Sequence, residues 1–233
     1  MIARVALALL AAAIALPAGA GIRAARYDAP TPRYDHAILG DALEWGVLRM
    51  TRDDGRQITV TLPESRVFED LAPRLADVDG DGENEVLVIE TSLERGAQLA
   101  IYDETGKIAA TPFLGRPYRW LAPVGVADLD GDGYPEIAYV EKPHLSKILR
   151  VWRYRNGRLV ELAARAGLSN HQIGWNYIVG GIRDCGKGPE IVTADGDWRR
   201  VMATRLRDGR LIARGIGPYD GARSVRAALA CRN

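Results

Sequence analysis

The chain has little of what most site chemistries need. Its 233 residues include three His, two Cys, two Phe and four Lys. His36, His144 and His171 share no H-x-x-x-H or H-E-x-x-H spacing, which argues against a helix-borne zinc site. Two cysteines are too few for a disulfide-stapled miniprotein, and with 47% hydrophobic content the chain is long enough to bury a core without one. The 31 basic and 30 acidic residues balance to +1 with no basic arm in either half, so nucleic acid is a poor partner. No G-x-S-x-G occurs, and Ser65, Ser92, Ser146, Ser169 and Ser224 offer no nucleophile with a placeable base and orienter. Gly181-Ile182-Arg183-Asp184-Cys185-Gly186-Lys187-Gly188 imitates a P-loop but lacks the Ser or Thr that would hold magnesium, and Pro189-Glu190-Ile191 reads as a strand where a helix is required.

Long apolar runs are missing except at the start. Arg4, the run from Val5 to Leu16 and the small residues Pro17-Ala18-Gly19-Ala20 form a secretory signal pattern over 1–20, with cleavage expected after Ala20. The competing reading, an uncleaved anchor, suffers from a run short of the roughly twenty residues a bilayer needs. Residues 21–233 are then expected as one exported domain, periplasmic or secreted, monomeric and without a membrane span.

What the chain does have is repetition. LAPRLADVDGDGENEVLVIETS (71–92) and LAPVGVADLDGDGYPEIAYVEK (121–142) carry D-x-D-G-D-G cores starting at Asp77 and Asp128. Aligning Glu190 and Glu44 with Glu85 and Glu136 adds two degenerate copies, so units begin near 33, 74, 125 and 179. Each loop precedes a short apolar strand, a polar break and a second strand. Asp103 to Gly106, Arg155-Asn156-Gly157 and Arg207-Asp208-Gly209 then read as hairpin turns. A unit of about fifty residues with three or four antiparallel strands has the size of a propeller blade. The expected fold is all-β, a β-propeller-like array of about four units, closed or partly open. Helix is expected at Leu159 to Ala166 and, more weakly, at Ser224 to Ala230.

Within each intact loop, Asp77, Asp79, Asp81 and Glu85, or Asp128, Asp130, Asp132 and Glu136, stand at positions 1, 3, 5 and 9. The carbonyls of Glu83 and Tyr134 at position 7 can join them. Converging carboxylates ask for a hard cation, and an all-oxygen set suits calcium. An EF-hand is excluded, because position 12 is Val88 or Tyr139 and no helices bracket the loops. ADVDGDGENEVLVI and ADLDGDGYPEIAYV resemble the FG-GAP or VCBS repeat, the unit of the integrin alpha-chain β-propeller and of many exported bacterial proteins. That resemblance implies structural calcium between strands of a blade, hence two calcium ions here. In the fourth copy it places Asp184 and Glu190 at positions 3 and 9, with Ile182 and Gly186 at 1 and 5. In the first copy only Glu44 matches, with His36, Ile38 and Gly40 at the other acidic positions.

Export puts Cys185 and Cys231 in an oxidising compartment, where the two are expected to pair and tie the C-terminal tail to the last unit. Trp45, Trp120, Trp152, Trp175 and Trp198 recur across the units and are expected to pack between them. The leading functional expectation is a non-catalytic module, stabilised by calcium, that binds a protein or glycan or supports structure. The alternative is a periplasmic enzyme or glycan- or peptide-binding protein with its site around His171 and Asn176, in the polar and aromatic stretch 169–177.

Overall fold

The computed structural model describes residues 21–40 and 43–232, so the expected leader, 1–20, lies outside the described residues. Strands dominate. The first unit contains β1 (Ile22–Thr31), β2 (Glu44–Arg52) and β3 (Gln57–Thr61); the second contains β4 (Arg66–Phe68), β5 (Arg74–Ala76), β6 (Glu85–Ser92), β7 (Gly96–Asp103) and β8 (Gly106–Ala110). The third has β9 (Leu121–Ala127), β10 (Glu136–Glu141), β11 (Ile148–Arg155) and β12 (Arg158–Ala166). The fourth has β13 (Leu168–Ser169), β14 (Gly181–Asp184), β15 (Pro189–Asp195), β16 (Arg200–Arg207) and β17 (Arg210–Pro218), followed by helix α1 (Gly221–Leu229).

Pairing between neighbouring strands is antiparallel throughout, in the orders β9-β10-β11-β12 for the third unit and β13-β15-β16-β17 for the fourth, where β14 also pairs β15. Units 1 and 2 share one sheet because β4 bridges them, Phe68 pairing Trp45 of β2 on one side and Glu90 of β6 on the other. β6 and β10 are buried along their whole length, as expected of strands covered on both faces, whereas β3 alternates exposed and half-buried residues. Asn156-Gly157 and Asp208-Gly209 turn two hairpins with consecutive positive φ angles of 52° and 74°, and 50° and 68°, a twist that matches the strands they join.

The expected helix at 159–166 is instead strand β12. It leaves the Asn156-Gly157 turn already in register with β11, from Arg155 opposite Arg158 to Ile148 opposite Ala166, and that ladder overrides the helix propensity of its Leu, Glu, Ala and Arg residues. The expected helix near 224–230 is α1. Trp175 to Val179 lie in the 170–180 connection between β13 and β14.

Three apolar cores separate the four units. Leu48, Met50, Phe68 and Val88 pack units 1 and 2 together. Ile89, Leu99, Trp120, Tyr139 and Trp152 join units 2 and 3, with Ile38 and Leu39 of the first connection inserted among them. Leu149, Val151, Leu168, Ile191 and Leu206 join units 3 and 4. The far face of unit 4 is covered by α1, whose Val225 and Ala228 pack on Val179, Val192 and Val201. Among the described residues no strand of unit 4 pairs with one of unit 1; the two units meet only through their connections, where Ile178 packs on the cluster holding Ile38 and Leu39 and the Gly174 N–H donates to the Ile38 carbonyl at 3.3 Å. The array is therefore an arc with a helical cap, and the Cys185–Cys231 disulfide ties the residue just beyond α1 to the β14–β15 turn.

Candidate functional site

The two acidic loops are built alike. Ala76 opposite Glu85 closes the β5–β6 hairpin, and Ala127 opposite Glu136 closes β9–β10, leaving residues 77–84 and 128–135 between. Asp77 accepts hydrogen bonds from the N–H groups of Gly80 (2.6 Å) and Gly82 (2.9 Å), and Asp128 from Gly131 (2.7 Å) and Gly133 (2.9 Å). The left-handed φ of Gly80 and Gly82, 82° and 91°, lets those amides turn inward. Glu85 and Glu136 accept from Val78 (2.9 Å) and Leu129 (2.7 Å), whose buried side chains pin each loop to a core. Carboxylate oxygens of Asp77, Asp79 and Glu85 lie within 4.8 Å of one another, as do those of Asp128, Asp130 and Glu136. Asp81 and Asp132 fall outside these sets and accept the amides of Glu83 and Tyr134.

Electrostatics separate the two loops. Burial, reinforced by Asp79, Asp81 and Asp77 against the Val78 hydrogen bond, pushes Glu85 up to about 7. Asp79 is also raised, by burial and then by Asp81. In the second loop Arg153 of β11 stands opposite Glu136 and is ion-paired with it. Its guanidinium also reaches Asp132 at 2.7 Å and Asp130 at 3.1 Å. Burial still holds Glu136 above its usual range, although Arg153 opposes it. One step beyond the Val86–Tyr102 pair, β7 presents Asp103 at the corresponding place, so loop 77–85 has no such internal cation. Sequence reasoning missed Arg153. The signal was available, since the second strand of units 2, 3 and 4 carries Asp103, Arg153 or Arg205 at the same step.

The degenerate copies do not follow the constant spacing assumed from sequence. In unit 4 Arg183 pairs Glu190, so Arg183 takes the place of Ala76 and Ala127, and Asp184 stands at position 1 where position 3 was expected. Asp184 accepts the amides of Gly186, Lys187 and Gly188, as a position-1 Asp should. The loop is two residues shorter than its counterparts, and Ile182 lies in β14. In unit 1 Thr31 pairs Glu44, so the connection is longer and His36 is no equivalent of Asp77. His36 instead meets buried Glu69 at 2.5 Å, and Tyr34 accepts the amide of Tyr118 at 2.6 Å, plugging the middle of the arc.

His171 is fully buried in the same region. Its Nε2–H donates to the Trp175 carbonyl at 2.9 Å, which leaves Nδ1 to accept from His144 Nε2 at 2.9 Å. Burial and then His171 push His144 down to about 4, so the pair is neutral at ordinary pH. Asn176 is exposed and makes no hydrogen bond to the described residues.

Residues 77–139 match the FG-GAP-like repeat family, which covers both intact loops and supports the repeat assignment. No curated protein matches the chain. Among solved structures, rhamnogalacturonan lyase YesW is similar at 17% identity and a TM-score of 0.43, over 77% of this chain and 43% of that one. The exotype rhamnogalacturonan lyase YesX is similar at 14% identity and 0.43, over 84% of this chain and 49% of that one. This chain thus spans less than half the length of either. Among the described residues no helix is long and apolar enough to cross a membrane.

Proposed function

We propose that the protein is an exported, monomeric β-propeller-like module that uses calcium as a structural ion and serves in binding or support, with no catalysis of its own. The observation that carries this reading is loop 77–85, where three convergent carboxylate groups have no ion pair with the described residues and Glu85 is pushed up to about 7. Such a set fits a hard cation with oxygen ligands. Asp77, Asp79 and Glu85 would hold it, with Asp81 and the Glu83 carbonyl near enough in sequence to complete the shell. When bound, calcium supplies the positive charge that lets these carboxylates ionise together. The residues of loop 128–136 fit it too, but there Arg153 must give way.

The leader-like segment 1–20 and the disulfide support export, the helix that covers the last unit supports the monomeric state, and a protein or glycan is the partner class kept open. His171 has both ring nitrogens engaged, so a site centred on it is not favoured. Calorimetry with calcium and with chelator tests the reading. Asp79→Ala is expected to lower the calcium-dependent melting temperature, while Asp54→Ala, on an exposed turn, leaves it unchanged. Identical transitions of the wild type in calcium and in chelator would remove calcium from the account.

A further inference from the structure

Unit 4 has reversed the charge of its loop site. Glu190, the counterpart of Glu85 and Glu136, is buried and faces three arginines from three strands: Arg183 of β14 at 2.9 Å, Arg205 of β16 at 2.8 Å and Arg214 of β17 at 2.7 Å. Burial opposes its ionisation, but hydrogen bonds from Arg214, Arg183 and Arg205 outweigh that and hold it below the usual carboxylate range. Position 1 keeps Asp184, occupied by three backbone amides, while Gly186 and Gly188 stand two and four residues further on, where the intact loops carry acids.

Glu190 and its three arginines line a groove of about 620 Å³ beside the disulfide. Its walls carry five cations, Arg183, Lys187, Arg205, Arg207 and Arg214, against one carboxylate, Glu190. Glu190 does not exhaust them. Arg205 reaches it through Nε alone and Arg214 through Nη2 alone, so each keeps further N–H donors that make no hydrogen bond to the described residues. The head groups of Lys187 and Arg207, both on exposed residues, make no hydrogen bond or ion pair with the described residues. Fixed guanidinium forks suit planar or tetrahedral oxyanions, and several of them in one concavity suit more than one negative charge.

We infer that this groove binds a multiply charged oxyanion, bearing sulfate, phosphate or carboxylate groups. Glu190 acts there as a positioning residue that holds Arg205 and Arg214 in place. The inference is independent of calcium, because no residue of the groove belongs to the intact loops.

Titration calorimetry of the full exported chain with inorganic sulfate, with dextran sulfate and with uncharged dextran, at matched ionic strength of about 0.15 M, tests it. Saturable binding of sulfate or dextran sulfate but not dextran is expected. Comparable affinity per sulfate group would mean that a free ion suffices; a preference for dextran sulfate of about tenfold or more would mean that the acidic groups are carried along a chain. The double variant Lys187→Ala with Arg207→Ala, at exposed positions outside any ion pair among the described residues, is expected to weaken binding about tenfold or more with an unchanged melting temperature, whereas Arg23→Ala on β1 changes neither the binding nor the melting temperature. Absence of saturable binding, or equal affinity in the double variant, would overturn the inference.

Discussion

Arg153→Gln removes the cation from loop 128–136 while keeping a polar side chain. Removing one partner of a buried ion pair costs about 3–5 kcal/mol. Here Glu136 is fully buried, but the side chains of Asp130 and Asp132 are 30% and 43% exposed and will be rehydrated. The lower end, about 3 kcal/mol, is therefore expected in chelator. At about 2–4 °C per kcal/mol for a domain of this size, that is a fall of roughly 6–12 °C in melting temperature. Calcium should repair the variant more than the wild type, because the ion no longer has to displace a guanidinium. At a hundredfold excess over Kd a site contributes about 2.7 kcal/mol, enough to close most of the gap. Scanning calorimetry of both proteins in calcium and in chelator measures this, with isothermal titration giving the affinities. A gap of the same size in both conditions, or a calcium affinity unchanged by the substitution, would refute the argument that Arg153 and calcium compete for one place.

Other consequences are as direct. Metal-free protein should lose stability as pH rises from about 4.5 to about 7, because folded Glu85 retains a proton over that window that the unfolded chain has released; saturating calcium should abolish the loss, and a flat chelator profile by thermal melts would contradict it. Reducing Cys185–Cys231, which are 46 residues apart, should cost up to about 4 kcal/mol by the chain-entropy argument and speed amide exchange in α1, and unchanged exchange there would show that packing on Val192 and Val201 suffices. N-terminal sequencing of exported protein should begin at Gly21, and an intact Met1 retained in membranes would favour an anchor instead.

Local chemistry was legible from residues alone wherever the determinants lie close together in the chain. The Asp-Gly alternation of 77–82 and 128–133 dictates tight left-handed turns and inward amides, and Asn156-Gly157 and Asp208-Gly209 dictate hairpins, because these are backbone preferences of the residues themselves. The cysteine pairing was also readable, since two thiols in an oxidising compartment have one partner each. What required the tertiary structure was everything set by register between distant strands. Residues 158–166 have helical propensity, yet pairing with β11 makes them a strand. The fourth loop reads as nine positions until β14 and β15 pair through Arg183 and Glu190 and shorten it. Above all, the charge that faces Glu85, Glu136 and Glu190 depends on whether the opposing strand presents Asp103, Arg153 or Arg205. Coulomb interactions act through space, and loops with the same acidic positions meet different charges according to the neighbour that the sheet brings within about 4 Å.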